Sequence, residues 1–325
     1  MKSRAVKSLI AAVALLGIAT PAAAADGLPV PIDYTFGEGV VSADGSSRFV
    51  SISTSGRTVV MRVAVDGGEI EDYTVADGTY TIPAIAVDGT ASGISADGRT
   101  LALIKPRTTF PRKVTAFLIY QASKREKVFR NRSHVRLNGD FSFDALSPDG
   151  ETMYLVEYTD RRDPGAYQVR SFDLSSGQLD PEPILDTEEE PGEMRGFPQT
   201  RVTSAGGRWE YTLYDGGEHP FIHALDVVDA KTVCIDLDMI HAHQTYDAKL
   251  AMSADGGAIE LTDRKGALRA VVDTATHEAS EPGAEPEPAA APAEPDEPGL
   301  APAGIAAGAL ALMALAGLAI RRMRN

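Results

Sequence analysis

One four-residue turn phrase recurs along the chain and constrains its fold more than any other feature of the sequence. The phrase reads Ser-Ala/Pro-Asp-Gly and occurs as Ser42–Gly45, Ser95–Gly98, Ser147–Gly150 and Ser253–Gly256. A degenerate copy at Ser204–Gly207 fills the one gap, so that successive copies begin 49 to 57 residues apart. The Asp side chain can bond nearby backbone amides and Gly accepts a positive φ, so each copy predicts a tight turn that leads into a strand.

The segments after these turns have the composition of β-strands. Thr100–Ile104 and Thr152–Tyr158 follow two of the copies, and second apolar runs come at Val114–Tyr120 and Gln168–Leu174. Val114–Tyr120 is apolar at nearly every position, which predicts that both faces of its sheet are covered. Repeated units of short strands in covered sheets predict an all-β chain, a β-propeller of about five four-stranded blades, with six or seven blades as the alternative.

The residues FDALSPDGETMYLVEY (Phe143–Tyr158) resemble the blade motif of secreted WD-repeat-like β-propellers of the TolB-associated type. The whole chain is also similar to anchored propeller proteins of high-GC Gram-positive bacteria. This resemblance implies a propeller that serves as a binding platform or scaffold, or, in some members, as a lactone hydrolase.

The repeats leave two ways to complete the ring. The fifth unit ends near His277 before a clear fourth strand. We expect the N-terminal stretch Pro29–Val41 to supply that strand and close the ring. An irregular sixth blade in Val75–Thr90 is the alternative.

The two ends of the chain predict export and membrane anchoring around a domain of residues 26–277. A basic start, an apolar run and a stretch of small residues make residues 1–25 a signal peptide. Seven prolines and seven acidic residues without a base make residues 278–302 a disordered linker. The uncharged residues 303–320 predict one C-terminal transmembrane helix, and the basic residues 321–325 predict a cytoplasmic tail.

This order predicts a single-pass protein of the cell membrane with its propeller outside the cytoplasm. Leu300–Gly304 also resembles the LAxTG-type signal of sortase substrates, with Ala303 in place of the threonine. Covalent attachment to the cell wall is therefore the minority alternative. The oligomeric state is not predicted.

Charge is distributed unevenly along the chain. The net charge of −15 argues against nucleic acid as a partner. The segment from Arg99 to Arg136, however, contains eleven Lys and Arg residues and only one acidic residue, Glu126. We interpret the part from Lys124 to Arg136 as protection of an exposed edge strand, because cationic side chains discourage edge-to-edge pairing.

The rest of the basic block predicts a ligand-binding surface. If each blade runs a-b-c-d, the b–c and d–a loops share one end of the sheets. That end collects the candidate ligand-binding residues Lys105, Arg107, Arg112, Lys113, Arg161, Arg162, Arg195, Arg201 and Tyr246, together with Arg264 and Lys265. Clustered Arg and Lys favour phosphate or carboxylate ligands, so the predicted partner is a protein or an anionic envelope polymer. The alternative is that these are ordinary charged hairpin tips.

Two histidines suggest a metal site. His241 and His243 stand two residues apart, so on a strand both would face one side, and Asp236 and Asp238, themselves two residues apart, lie upstream. Such a set suits zinc or another transition ion, but polar loop histidines are the preferred interpretation. We predict no cofactor.

Enzymatic signatures are absent from the sequence. It contains no GxSxG, HExxH, Walker A or dinucleotide-binding GxGxxG motif. The single cysteine, Cys234, excludes an intramolecular disulfide and a CxxC metal site. A binding or scaffold module is therefore preferred. The alternative is an extracytoplasmic propeller hydrolase for a lactone or sugar-like substrate, assembled from single residues such as Glu157, His223 and Arg195.

Overall fold

The computed structural model describes residues 39–122, 129–186, 194–217 and 219–283. Regular structure in these residues is almost entirely β, apart from one short 3-10 turn at Ala242–Gln244. No helix in these ranges is long and apolar enough to cross a membrane. The predicted signal peptide, transmembrane helix and cytoplasmic tail lie outside the described residues.

The strands form five antiparallel sheets that follow one another along the chain. Sheet 1 contains β1 (Val40–Val41), β2 (Ser47–Thr54), β3 (Arg57–Ala64) and β4 (Ile70–Asp77). Sheet 2 contains β5 (Thr100–Ile104), β6 (Val114–Ala122) and β7 (Phe129–Asn138). Sheet 3 contains β8 (Phe141–Leu146), β9 (Thr152–Tyr158), β10 (Ala166–Asp173), β11 (Gln178–Leu179) and β12 (Met194–Arg195). Sheet 4 contains β13 (Pro198–Thr203), β14 (Trp209–Tyr214), β15 (Phe221–Asp226) and β16 (Lys231–Asp236). Sheet 5 contains β17 (Lys249–Met252), β18 (Ala258–Thr262), β19 (Leu268–Asp273) and β20 (Ala279–Ser280).

The strands predicted from sequence are confirmed. Two of them, β5 and β9, begin and end where the sequence predicts, and β6 extends to Ala122. β6 is buried from Thr115 to Tyr120, so both faces of sheet 2 are covered as predicted. β7 lies at the outer edge of sheet 2, which agrees with the edge-strand interpretation of the basic stretch that it contains.

The repeated turn phrase joins the first strand to the second in sheets 1, 3, 4 and 5, and in sheet 2 it leads into β5. In sheet 3, the hydroxyl of Ser147 donates to Asp149 Oδ1 (2.6 Å) and accepts from the backbone N of Thr152 (2.9 Å). The same pair of bonds recurs in the three other full copies. The degenerate copy keeps the second bond, because Ser204 Oγ accepts from Trp209 N at 2.8 Å. The serine and the final glycine, whose backbone N donates to the serine carbonyl, are therefore the parts of the phrase that all five turns share.

Hydrophobic packing stacks the sheets in chain order. Separate clusters of buried side chains join sheet 1 to sheet 2, sheet 2 to sheet 3, sheet 3 to sheet 4, and sheet 4 to sheet 5. Sequential meander sheets packed face to face are the blade arrangement of a β-propeller. Among the described residues, no such cluster joins sheet 5 to sheet 1.

The structure corrects two expectations about closure. Val40–Val41 pairs with β2 in sheet 1, so this part of the N-terminal stretch does not complete sheet 5. Sheet 5 has its own fourth strand, β20, which lies beyond the predicted boundary at His277. The predicted sixth blade is also wrong, because Val75 lies in β4 and the residues after it form a hairpin rather than a sheet.

We call residues 81–94 the crossing hairpin. Its two arms pair with each other through the bridge between Ala84 and Ala91. Both arms are bound to β5, since Thr81 pairs with Ile104 and Ile94 pairs with Leu101. These two short bridges occupy the place where a first strand of sheet 2 would lie.

The tip of the crossing hairpin reaches sheets 4 and 5. The backbone N of Val87 donates to Pro198 O (2.9 Å), and Lys249 Nζ contacts Asp88 Oδ2 (2.7 Å). Pro198 and Lys249 begin the first strands of sheets 4 and 5. The hairpin therefore ties three sheets together along their first strands.

Two glycines at one turn position allow a test of the packing between turns. Gly150 and Gly256 have φ of +70° and +75°, but a Cβ on Gly150 would lie 2.3 Å from Thr100 Oγ1, whereas one on Gly256 would meet nothing within 4 Å. We predict that Gly256→Ala costs about 1 kcal/mol of unfolding free energy for its left-handed backbone. Gly150→Ala should cost about 1–3 kcal/mol more, because the turn of sheet 3 must move away from sheet 2. Urea unfolding followed by circular dichroism measures both, and equal losses would contradict this packing.

Candidate functional site

The b–c and d–a connections lie at one end of the sheets, which we call the loop end. It includes the β2–β3, β5–β6, β9–β10, β14–β15 and β18–β19 loops with the connections from β7 to β8, β11 to β13 and β16 to β17. Side chains of different sheets meet there. Arg107 of the β5–β6 loop contacts Asp140 between β7 and β8, and Arg264 lies 3.8 Å from Asp247 before β17. All nine predicted ligand-binding residues belong to this end or to the strands that enter it.

A cleft opens at the loop end between sheets 3 and 4, beside the crossing hairpin. Its empty volume, with the open mouth, is about 580 Å³. Most of its lining is apolar, with side chains that include Ile85, Val87, Phe143, Val156, Phe197 and Pro198. The polar side chains of the lining are Ser142, Asp144, Tyr158, Tyr167 and Tyr214. An apolar cleft with a few convergent polar groups is the usual form of a ligand site.

Aromatic rings form one wall of the cleft. Tyr167 stacks on Tyr214 with ring centroids 5.0 Å apart, and Tyr214 stacks on Phe221 at 5.3 Å. Burial raises the pKa of Tyr167 and of Tyr214, so that both hydroxyls stay neutral and can donate a hydrogen bond. The Tyr167 hydroxyl is shielded from solvent and lies beside the Tyr214 hydroxyl, with which it interacts.

Asp144 supplies the carboxylate of the cleft, and Arg201 neutralises it. The Arg201 guanidinium donates to the Asp144 carboxylate and to Asp144 O (2.7 Å), and its Nε donates to Thr212 Oγ1 (2.6 Å). Burial acts to lower the pKa of Arg201, but the charges of Asp144 and Glu210 outweigh it and raise that pKa. The pair is buried and links sheet 3 to sheet 4.

Two further titratable groups lie buried in sheet 4 and do not line the cleft. Burial raises the pKa of Glu210 to about 7, although Arg201 and a 2.7 Å hydrogen bond from Thr203 act in the opposite direction. Burial lowers the pKa of His223 to about 4, and its Nε2 lies 2.6 Å from Thr232 Oγ1. His223 is therefore uncharged near pH 7, and Glu210 is readily protonated. The buried titratable groups of sheet 4 thus carry little net charge.

A second buried carboxylate, Asp140, holds the β5–β6 loop. It accepts from Arg107 Nη2 (2.6 Å), Arg112 Nε (3.1 Å) and Arg112 N (2.7 Å). Arg107 also donates to Ser142 Oγ (3.2 Å) and lies 4.8 Å above the ring of Tyr158. Both arginines thus brace the wall of the cleft.

The predicted ligand-binding residues fall into two groups. Four are paired with carboxylates: Arg107 and Arg112 with Asp140, Arg195 with Asp163, and Arg201 with Asp144. The other five are exposed: Lys105, Lys113, Arg161, Arg162 and Tyr246. Arg161 and Arg162 precede Pro164, which lines the cleft. Anion binding by any of them stays a prediction.

Tyr246 borders a second, more open depression. It is 62% exposed and faces the hairpin tip, where Val87 is 50% exposed. Asp88 and Lys249 lie between them. Because Val87 lines both depressions, the tip of the crossing hairpin separates the cleft from this neighbouring surface.

His241 and His243 are not on a strand. The chain leaves β16 at Asp236 and makes a 3-10 turn at Ala242–Gln244, which stacks the two imidazoles 5.8 Å apart. In the ranges that the structure describes, no group of three or more His, Cys, Asp or Glu residues could hold a metal ion.

Comparison with known proteins gives fold similarity without a family. No protein-family model and no curated protein matches the chain. Similar solved structures include hydrazine synthase of Kuenenia stuttgartiensis (14% identity, TM-score 0.45, 79% of this chain and 68% of that one). TolB of Acinetobacter baumannii (13%, 0.38, 78% and 56%) and the β-propeller domain of Swd1 from Myceliophteria thermophila (8%, 0.43, 77% and 68%) are also similar. All three TM-scores lie below 0.5, so no conclusion about fold or function rests on them.

Glu210 makes stability depend on pH in a testable way. Its folded pKa of about 7 lies above the ~4.3 of an unfolded glutamate, so the folded state binds this proton more tightly. The resulting stabilisation is complete below the unfolded pKa and is lost as pH rises through about 7, by up to ~3 kcal/mol. We predict that Glu210→Gln removes this loss, while His223, present in both proteins, contributes with the opposite sign. Urea unfolding across this pH range measures the difference, and parallel pH profiles would contradict the assignment.

Proposed function

We propose that the chain is a binding module whose loop end receives a protein segment or an anionic envelope polymer. The ligand inserts an apolar or aromatic group into the cleft and places an anionic group at the exposed cations beside it. The observation that carries this proposal is the cleft itself, an apolar and aromatic pocket with Tyr158, Tyr167 and Tyr214 among its lining residues.

The anionic part of the ligand is inferred from cations that pair with no carboxylate among the described residues. Arg161 and Arg162 are exposed on the β9–β10 loop, two to three residues before the cleft residue Pro164. Lys105 and Lys113 are exposed at the ends of the adjacent β5–β6 loop. Exposed cations next to an apolar pocket favour a ligand that is apolar at one end and negatively charged at the other.

Binding is favoured over hydrolysis because the candidate catalytic side chains are already paired or buried. Of the three candidate catalytic residues, Glu157 pairs with Arg170, Arg195 pairs with Asp163, and His223 is buried beside Thr232. None of the three lines the cleft. The acid that does line it, Asp144, is held by Arg201. A general acid or base would need a free proton site at the substrate.

The proposal includes the location of the chain in the cell. We infer from residues 1–25 and 303–320 that the chain is exported and held by one C-terminal membrane span, with the part of the predicted linker that follows β20 as a spacer. The ligand would then be a component of the cell envelope or of its surroundings.

The first test compares two adjacent basic pairs, each on a b–c hairpin of the loop end. R161A/R162A removes the pair beside the cleft, and R264A/K265A is its control on sheet 5. Lipoteichoic acid, a glycerol-phosphate polymer with acyl chains, serves as the probe in calorimetry at two salt concentrations. We predict about fivefold or more loss of affinity at low salt for R161A/R162A and less than about twofold for the control. Equal losses in the two variants would contradict a site at the cleft.

The second test uses two buried tyrosines of the same sheet interface. Tyr167→Phe removes a hydroxyl from a residue that lines the cleft, whereas Tyr154→Phe removes a hydroxyl that donates to Val227 O (3.1 Å). We predict that Tyr167→Phe weakens binding of the probe about 5–10-fold without loss of stability. Tyr154→Phe should lower stability by about 1 kcal/mol and leave binding unchanged. Unchanged binding with Tyr167→Phe would remove the cleft from the site.

A further inference from the structure

β7 forms the outer edge of sheet 2 and is the longest strand of the described chain. It has ten residues and pairs with β6 along one side. The outer edges of sheets 3 and 4 are partly covered, because β10 carries β11 and β12, and Thr232 of β16 bridges to Asp186. Among the described residues, no backbone group between Arg132 and Asn138 bonds to anything other than β6. Such an edge is a template on which another extended chain can pair.

Cationic side chains alternate along β7. Arg132, His134 and Arg136 stand at every second position, and all three are exposed. Two of their cross-strand partners on β6, Leu118 and Tyr120, belong to the apolar cluster between sheets 1 and 2. The three cationic or titratable side chains therefore share the face of β7 that is turned toward sheet 1.

The charges of this row are not neutralised within the part of the chain that the structure describes. Arg132 Nη1 donates to the neutral carbonyl Val75 O (3.4 Å). Asp72 and Asp77, on the neighbouring strand β4, form no ion pair with either arginine of the row. Like charges oppose pairing of this edge with the same edge of another copy. A strand with acidic residues opposite the arginines would instead be stabilised by opposite-charge pairs.

The opposite face of β7 has a different character. It begins with the exposed Ser133 and continues with Val135 and Leu137. Leu137 is buried in the apolar cluster between sheets 2 and 3, and Val135 packs against that cluster while it stays partly exposed. Leu179, in the two-residue strand β11, also packs against this cluster and is partly exposed. An apolar side chain added beside Val135 would extend the cluster, so the two faces together favour a strand that alternates acidic and apolar residues.

We propose that the outer edge of β7 binds an extended acidic segment of another protein by strand addition. The segment becomes a further strand of sheet 2, with Asp or Glu beside Arg132 and Arg136 and an apolar side chain beside Val135. Main-chain hydrogen bonds provide affinity, and the charged pairs select the partner and its register. No residue of β7 lines the cleft, so this site stands apart from the ligand proposed for the loop end.

Calorimetry with short peptides tests the proposal on the full-length chain. The probe is an acetylated and amidated peptide that repeats Glu-Val four times. A peptide of four Glu followed by four Val has the same composition and charge but lacks the alternation. We expect the block peptide to bind about tenfold or more weakly, because it cannot place acidic residues on one face and apolar residues on the other.

Two charge-reversal variants provide the matched comparison. R132E/R136E reverses the row on β7, and R264E/K265E makes the same change in net charge on the exposed β18–β19 loop. R132E/R136E should weaken binding of the Glu-Val peptide about tenfold or more and create binding of a peptide that repeats Lys-Val. R264E/K265E should change the affinity less than about twofold. Circular dichroism of each variant checks that the sheets stay folded.

Hydrogen exchange of the β7 amides tests the main-chain part of the proposal. Strand addition should slow exchange at alternate residues of β7, those whose N–H points away from β6, when the Glu-Val peptide is bound. Contact through the charged side chains alone would leave these amides unchanged.

Four results would overturn the proposal. The first is absence of binding of the Glu-Val peptide to the unaltered chain, and the second is equal affinity for the block peptide. The third is unchanged exchange of the β7 amides in the bound state. The fourth is a dimer of the unaltered chain in sedimentation that R132E/R136E dissociates, since this would assign the edge to a second copy.

Discussion

Face-to-face packing of consecutive sheets is the constraint on which the rest of the structure depends. β6 is buried along both sides, which is stable only if sheets 1 and 3 lie on either side of it. The repeated serine of the turn phrase fixes where the strand after the turn begins, which is β5 in sheet 2 and the second strand in the other four sheets.

Buried ion pairs then decide which charged residues remain for a ligand. Asp140 and Asp144 lie where the loop end meets the sheets, and a buried carboxylate needs a paired cation. The paired cations are Arg107 and Arg112 for Asp140 and Arg201 for Asp144. These arginines therefore stabilise the wall of the cleft and are not available to a ligand. Arg161 and Arg162 are exposed and pair with no buried carboxylate of the described residues, so their charges remain available to a ligand. The charge available to a partner is therefore much smaller than the basic block of the sequence suggests.

Sequence reasoning recovered the parts of the fold that are encoded locally. Strands β5 and β9, the five-unit count and the shared loop end follow from turn chemistry and apolar runs within a few residues of each other. The crossing hairpin was missed because it makes isolated bridges with distant strands and has no alternation of its own. The carboxylate partners of the arginines and the tyrosine wall were missed for a similar reason. Residues such as Asp144 and Arg201 are 57 positions apart, and only the stacking of sheets 3 and 4 brings them together.

The cleft exists because the crossing hairpin reaches sheet 4, and hydrogen exchange tests that claim most directly. The amides of Val87 and Asp88 donate to Pro198 O (2.9 Å) and Gln199 O (3.2 Å) at the start of β13. Exchange of these two amides, measured by NMR in the full chain, should be slowed to the level of the amides inside β13, because both require the same opening. Exchange at the rate of an unstructured loop, with β13 still protected, would show that the hairpin does not form the wall of the cleft.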